Sequence, residues 1–304
     1  MSNSIVVTVP ATTANMGAGF DCLGMALSLE NRFEFTAGQG DKTTFTVISD
    51  TDKPINLPDD NLLHEAYLRF FQSLNIPAPI VDIKIIVNVP FSRGLGSSAT
   101  AIVAGVLGAN HFSPKKLSST ELLNLAIEIE GHPDNVVPAM LGNCILSVAG
   151  EQKWHLVPIT CNPDIKFIVA IPDFKLSTEE ARSVLPSNLS YSDAVFNISH
   201  LSLLLKGLET GNTEWLTEAL KDKLHQPYRT KLIKGYDRIY DNVINAGGYG
   251  MVISGAGPTL LAMSNASVES DVITTMKQTW ESFGVKPIVK SLDIQTEGAK
   301  VFQD

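Results

Sequence analysis

The segment Pro90-Phe91-Ser92-Arg93-Gly94-Leu95-Gly96-Ser97-Ser98-Ala99-Thr100 has the composition of an anion cradle. Gly94 and Gly96 let the main chain turn tightly and let a ligand approach with no Cβ in the way. A helix that follows would turn its free N–H groups and the positive end of its dipole toward a phosphate. Ser97 and Ser98 add hydroxyls that can donate to phosphate, and Ser98 can reach a cation. The lysine of a P-loop is absent, and so is the three-glycine spacing of a dinucleotide fingerprint. A Gly-Ser turn that merely opens a helix has the same spacing, so the loop by itself leaves that alternative open.

Such a loop needs a strand to deliver it. Val81, Ile83, Ile85, Val87 and Val89 alternate with Asp82, Lys84 and Asn88, which predicts a strand with one buried face, ended by Pro90. Small residues over Ala99–Leu107 predict the helix beyond. Ser118-Ser119-Thr120-Glu121 has the spacing of a capping box and opens a second helix with Leu122, Leu125, Ala126 and Ile129 on its inner stripe. Glu130 lies beside that stripe, whereas Glu128 falls on the polar side with Glu121 and Asn124. A break at Gly131-His132-Pro133 leads to a predicted strand at Cys144–Val148.

Upstream, strands are predicted at Ser4–Val9, ended by Pro10, around Arg32–Thr36, and at Thr43–Ser49 after a turn, forming an opening antiparallel sheet. A helix over Asn61–Leu74 is capped by Asp59 or Asp60. Beyond about residue 160 the expected strands are Lys166–Ile171, Met251–Ser254 and a final one at Val285–Ser291. The expected helices there are Asp193–Leu208, Thr213–Leu220, Tyr236–Ala246 and Val268–Phe283. Interleaved helices and strands behind an antiparallel opening predict an α+β protein of two domains, 1–160 and 161–304.

Bulk properties narrow the function. The chain has 304 residues, 44% hydrophobic and 18% charged, which describes a globular protein. A net charge of −9 argues against a nucleic-acid partner, though not against an anion held by backbone N–H groups. No apolar run is long enough for a bilayer, and the N-terminus lacks the charge and apolar core of a signal peptide. Cys22, Cys144 and Cys161 have no metal-ligand spacing and read as reduced thiols in a cytoplasmic protein.

Pro90 to Ala99 resembles the central nucleotide motif of the GHMP kinases, named for galactose, homoserine, mevalonate and phosphomevalonate. Pro10-Ala11-Thr12-Thr13-Ala14-Asn15-Met16-Gly17-Ala18-Gly19-Phe20-Asp21-Cys22-Leu23-Gly24 resembles the family's first motif, in the form its homoserine-phosphorylating branch carries. Ser254-Gly255-Ala256-Gly257-Pro258-Thr259 resembles the third. The resemblance implies the two-domain GHMP kinase fold, with a ribosomal-protein-like N-terminal domain and a ferredoxin-like C-terminal one. It also implies ATP and Mg²⁺ as cofactors, and L-homoserine as the small-molecule substrate, phosphorylated on its hydroxyl on the way to threonine. A homodimer stays open.

Roles follow from the resemblance residue by residue. Pro90, Phe91, Ser92, Arg93, Gly94, Leu95, Gly96, Ser97, Ser98, Ala99 and Thr100 would bind ATP, and Ser98 with Glu130 would hold Mg²⁺. Asn61 stands where that branch contacts adenine, an Asn in a helix-start turn being the alternative. Arg182 and Arg229 would grip the acceptor carboxylate, with Thr178 near the γ-phosphate and Gly255 beside the acceptor. Asp21 and Asp134 would bind its ammonium, and Asn15 its hydroxyl. His132 and His225 read as structural. Mevalonate and galactose kinases have an aspartate base where this chain has Asn135, which cannot accept a proton, so Asn15 and Asn135 would orient the hydroxyl while its proton leaves to phosphate or solvent. Asp134 as a base stays open, as do a mevalonate or diphosphocytidyl-methylerythritol acceptor and a non-catalytic relative.

Overall fold

The computed structural model describes residues 3–49, 54 and 61–303. Two sheets organise the chain. The first contains β1 (Ser4–Asn15), β2 (Gly19–Ala37), β3 (Thr44–Ser49), β4 (Val81–Val87), β5 (Cys144–Ala149), β6 (Trp154–Ile159) and β11 (Lys300–Gln303). Its order is β11-β1-β2-β4-β3, with β5 also paired to β2 and β6 to β5. The second contains β7 (Lys166–Ile171), β8 (Gly250–Ile253), β9 (Leu260–Ser264) and β10 (Ile288–Leu292) in the order β10-β7-β9-β8.

The first sheet is covered by α1 (Leu62–Ser73), α2 (Ser97–Phe112), α3 (Ser119–Glu130) and α4 (Pro133–Leu141). One hydrophobic cluster joins the inward residues of β4 to Tyr67 and Phe70 of α1, Val103 and Val106 of α2, Leu122 and Ala126 of α3, and Val137 of α4. The strict alternation of burial along β4 bears out the period-two reading. The capping box of α3 is formed as expected, with Ser118 and Glu121 satisfying each other's main-chain N–H groups.

The second sheet is buried on both faces, because Phe167, Val169 and Ile171 of β7 enter one cluster and Ile168 and Ala170 another. Between β7 and β8 come α5 (Thr178–Ser183), α6 (Tyr191–Thr210), α7 (Thr213–Ala219), α8 (Gln226–Arg229) and α9 (Tyr236–Asn245), and α10 (Glu269–Ser282) joins β9 to β10. Leu204, Leu208 and Leu216 of α6 and α7 fill one face, and Ile239, Val272, Met276 and Trp280 of α9 and α10 fill the other. All three pairings are antiparallel. The expected α+β fold, with a ferredoxin-like second part, is present.

Several expectations need correction. Pro10 does not end β1: the strand runs to Asn15, and the register against β2 shifts between Pro10 and Ala11, a bulge of the kind that accommodates a residue with no N–H. β3 does not extend an antiparallel opening but pairs parallel with β4. Asp59 and Asp60 lie outside the described residues, and the side chain that caps α1 is Asn61. The break at Gly131 hides α4, which starts with a proline in its first turn, where the missing N–H costs nothing. Short β6, β9 and β11 are not marked by periodicity, whereas β8 falls where the strand Met251–Ser254 is expected, and β11 replaces β10 as the last strand.

Candidate active site

The loop after β4 reaches its shape by main-chain conformation. Ser92, Gly94 and Gly96 all have positive φ, at 54°, 76° and 65°. A Cβ on Gly94 would strike the carbonyl of Ser254, and one on Gly96 would strike the Thr12 hydroxyl. Other segments hold the loop by its backbone: Thr12 N–H donates to Leu95 O (3.1 Å), Leu176 N–H to Ser92 O (3.3 Å) and Thr259 N–H to Arg93 O (3.1 Å). Gly96 is also the N-cap of α2 and supplies no side-chain cap, so the first turn of that helix meets the cavity with its N–H groups.

The three glycine-rich segments, far apart in sequence, converge here. The Ser254 hydroxyl donates to Gly94 O at 2.6 Å and lies 2.9 Å from the Thr13 hydroxyl, and Gly255 N–H donates to Ala14 O at 3.1 Å. Together they bound a cavity of about 460 Å³. Asn15, Asp21, Asn61, Phe91, Ser92, Arg93, Gly94, Gly96, Ser97, Ser98, Thr100, Glu130, Asp134, Asn135, Thr178, Arg182, Arg229 and Gly255 all line it. Pro90, Leu95 and Ala99 do not. Leu95 and Ala99 are fully buried and anchor the loop in the cores, which is a packing role. The Arg93 guanidinium lines the cavity and donates to the carbonyls of Pro172 (2.9 Å) and Asp173 (3.0 Å), which ties the loop to the segment after β7. Asn61 lines the cavity, and its side-chain carbonyl accepts from His64 N–H at 3.1 Å, which is the helix-start role.

At the inner end of α2 the Ser98 hydroxyl donates to Glu130 Oε1 at 2.7 Å, which brings two hard oxygens together. Burial raises the Glu130 pKa, against the lowering effects of His132 and the Ser98 hydrogen bond. A carboxylate so placed is short of positive charge, and a divalent cation with its oxygen preference fits it. Asp134, on the first turn of α4, meets His132 Nδ1 at 2.6 Å and accepts from Asn135 Nδ2 at 3.3 Å. Burial works against a charged His132, but the hydrogen bond and charge of Asp134, with the charge of Glu130, outweigh it and raise its pKa. The Asn135 carbonyl accepts from the Thr12 hydroxyl at 2.7 Å, so its amide has one orientation.

The opposite wall is built of charges. Arg182, on α5, binds Asp21 through both guanidinium ends, at 3.1 and 2.8 Å. Arg229 is 1% exposed, and its partners are neutral: Ala181 O at 2.9 Å, Gly255 O at 3.1 Å and His225 Nδ1 at 3.4 Å. Burial first, then the Arg182 guanidinium, lower the Arg229 pKa to about 10. Asp21, Asp222 and Asp134 favour its charge from a distance, so it stays cationic at neutral pH, and with no carboxylate among its hydrogen-bond partners it suits an arriving anion. Burial also lowers His225, and because Nδ1 accepts from Arg229 the ring proton is assigned to Nε2, which donates to Gly17 O at 3.0 Å. The Asn15 amide is fully oriented too, donating to Gly255 O at 2.8 Å and accepting from Asp21 N–H at 2.9 Å.

Two residues of the site were not read from sequence. Phe20 lies beneath both guanidinium groups, 5.7 Å from Arg182 and 5.2 Å from Arg229, and stacks on His225 at 5.0 Å. It gives two like charges a shared aromatic face. Asn31 is buried in β2, accepts from the N–H groups of Asn88 (2.8 Å) and Val89 (2.9 Å), and donates to the Thr100 hydroxyl at 3.0 Å. It ties the exit of β4 to the start of α2. An amide amid strand residues, where Asn is disfavoured, was the available signal.

A cradle for phosphate beside a carboxylate–hydroxyl pair and a charged acceptor wall defines a small-molecule phosphotransferase site. The profile of the GHMP kinases N terminal domain matches residues 61–143, and that of the GHMP kinases C terminal domain matches 204–282. The chain is 52% identical over 298 residues to the homoserine kinase of Trichodesmium erythraeum, covering 98% of each. It is 52% identical over 297 residues to that of Thermosynechococcus vestitus, covering 97% of this chain and 98% of the other. The crystal structure of homoserine kinase from Cytophaga hutchinsonii superposes with a TM-score of 0.86 at 29% identity, over 99% and 98% of the two chains. A mevalonate kinase crystal structure, at 17% identity and a TM-score of 0.68 over 96% and 99%, shares the fold. This chain belongs to the GHMP kinase family, within the group of the homoserine kinases.

Proposed function

We infer that this chain transfers the γ-phosphoryl group of ATP to the hydroxyl of L-homoserine, forming O-phospho-L-homoserine on the way to threonine. The observation that carries the reading is the Arg182–Asp21 ion pair beside the buried Arg229, which hydrogen-bonds only to neutral groups. A zwitterion can replace both halves of that pair. Its carboxylate takes over Arg182 and reaches Arg229, and its ammonium takes over Asp21, with Asp134 nearby. An acceptor with a carboxylate alone breaks the pair and leaves Asp21 uncompensated, so the wall selects an amino acid.

Phosphoryl transfer asks mainly for alignment and charge neutralisation. The main chain from Ser92 to Ser98 and the first turn of α2 hold the polyphosphate, Asn61 faces the base, and Thr178 stands at the phosphate that moves. Asn15 and Asn135, each locked by its own hydrogen bonds, orient the acceptor hydroxyl. Ser98 and Glu130 are the oxygens that would hold Mg²⁺, which when bound supplies charge neutralisation on the phosphates. Asp134 is engaged by His132 and Asn135, so the hydroxyl proton is best passed to phosphate or solvent. We place the division between the parts at 160/161, between the end of β6 and the start of β7, with residues 300–303 returning to the first sheet. Among the described residues no helix is long and apolar enough to cross a membrane.

An ADP-release assay with homoserine, mevalonate, galactose and 4-hydroxybutyrate tests the reading. Homoserine should be turned over with the highest kcat/KM, and 4-hydroxybutyrate, which lacks only the ammonium, far less well. Preference for mevalonate would remove the homoserine assignment and leave the family standing. ATP binding with no ADP release for any acceptor would point to a ligand-binding relative.

A further inference from the structure

Cys144 and Cys161 lie in a part of the molecule that shares no lining residue with the phosphate-loop cavity. β5 and β6 pair antiparallel with Cys144 opposite Ile159, and Cys161 follows Ile159 by two residues, where the chain leaves β6 for β7. The Cys161 thiol turns back on that strand end and donates to Ile159 O at 3.9 Å. Cys161 thus sits against the residue that Cys144 faces. Both line a second cavity of about 480 Å³, with Lys166 and Asp293 as its charged groups, and both pack in the same hydrophobic cluster. Cys144 is 1% exposed, whereas Cys161 is half-buried and open to the cavity.

We propose that Cys144 and Cys161 form a reversible redox site that closes to an intramolecular disulfide when a small disulfide of the glutathione type enters this cavity. Cys161 is the attacking thiol: it is the more accessible, and the hydrogen bond it accepts from Cys144 favours its thiolate, while the same bond and burial hold Cys144 protonated. The Cys161 thiolate attacks one sulfur of the incoming disulfide, forming a mixed disulfide and releasing one thiolate. Cys144 then gives up its proton and attacks the Cys161 sulfur, forming the internal S–S bond and expelling the second thiolate. The two protein thiols are oxidised, the incoming disulfide is reduced to two thiols, and the protons of Cys144 and Cys161 end on those leaving groups. In a reducing compartment such a bond is transient, as a sensor requires. Cys22 is no competitor: burial, then Asp134 and Asp21, push its thiol up to about 11.

The test uses the full chain and oxidised glutathione, followed by denaturation, thiol counting and peptide mapping. Of the three free cysteines, one should remain titratable after oxidation, the intact mass should fall by two hydrogens, and one peptide pair should join Cys144 to Cys161. Dithiothreitol should restore all three. Cys161→Ser should lose no thiol under the same treatment. Cys144→Ala should instead stop at a glutathione adduct on Cys161, which proteolytic mapping reads whether or not that variant keeps wild-type stability. Three thiols persisting in oxidised wild type, a bond that includes Cys22, or a stable glutathione adduct on wild-type Cys161 would each overturn the proposal.

Discussion

The phosphate end and the acceptor end of the cavity are built from different materials. At the phosphate end the working groups are main-chain atoms, shaped by Ser92, Gly94 and Gly96 at positive φ and held by backbone hydrogen bonds from β1, the approach to α5 and the loop after β8. At the acceptor end they are charged side chains, Asp21, Arg182 and Arg229, laid over Phe20. Phosphate is common to every reaction of such a fold, and a backbone cradle binds it with no particular side chain. The acceptor differs from one relative to the next, and side chains can change without disturbing the chain path. The difference predicts opposite sensitivities, to Cβ atoms at one end and to charge at the other.

The largest effect belongs where the ends meet. Glu130→Gln keeps the shape and removes one charge beside Ser98. Turnover should fall by two to three orders of magnitude, about 3–4 kcal/mol, with a weaker magnesium dependence and an unchanged melting temperature. Wild-type kcat and magnesium titration in this variant would move the role to another carboxylate, with Glu128 next to be tried.

Gly96→Val tests the backbone-built end. A branched side chain at φ 65° strikes the Thr12 hydroxyl and distorts the N-cap of α2. The strain, about 1–3 kcal/mol before the collision is counted, should weaken ATP binding by roughly a hundredfold in a calorimetric titration. If the variant binds ATP normally, the phosphates do not lie along this loop.

Arg182→Met tests the charge-built end. It should lower kcat/KM for homoserine about ten- to a hundredfold, from loss of charge-assisted hydrogen bonds of roughly 1.5–3 kcal/mol, and leave ATP affinity nearly intact. Adding Arg229→Met should cost less than the sum of the single changes, because both arginines share one carboxylate. A uniform loss toward ATP and homoserine alike would mean that the variants are merely unstable and that the two ends are not separable.

The smallest effect is expected for Asn135→Ala, which removes an orienting amide and no proton acceptor. The rate should drop about tenfold with the pH profile unmoved. Should an acidic limb of the kcat profile vanish in Asp134→Asn while the homoserine KM holds, Asp134 is the base and the orienting account of Asn135 is lost.

The two ends are also unequally legible in the amino-acid sequence. The phosphate loop can be read there because its chemistry is local: glycines, serines, a preceding strand and a following helix all lie within a short stretch. The capping box of α3 and the alternation of β4 are visible for the same reason. α4, β9 and β11 are not, since short elements are stabilised by what they pack against and leave little period of their own. Arg182 and Arg229 carry no local signal at all and are reached only through the family resemblance. Phe20 stands inside the first glycine-rich segment with no role that its neighbours in sequence reveal, because its partners in space come from α5 and α8.

By itself, then, the sequence determined the local conformations: which segments alternate, where a helix can be capped, where only glycine tolerates the turn, and that an anion could sit on main-chain N–H groups. These depend on residues near one another along the chain, and their energies are set before the chain closes. Tertiary structure alone decided that Asp21 meets Arg182, that Arg229 is buried against neutral partners, that Arg93 staples the loop to the segment after β7, and that Cys144 and Cys161 share one cluster. Each depends on distant segments brought together by burial of the two sheets, and on a loss of solvent that turns ordinary surface charges into a selective site.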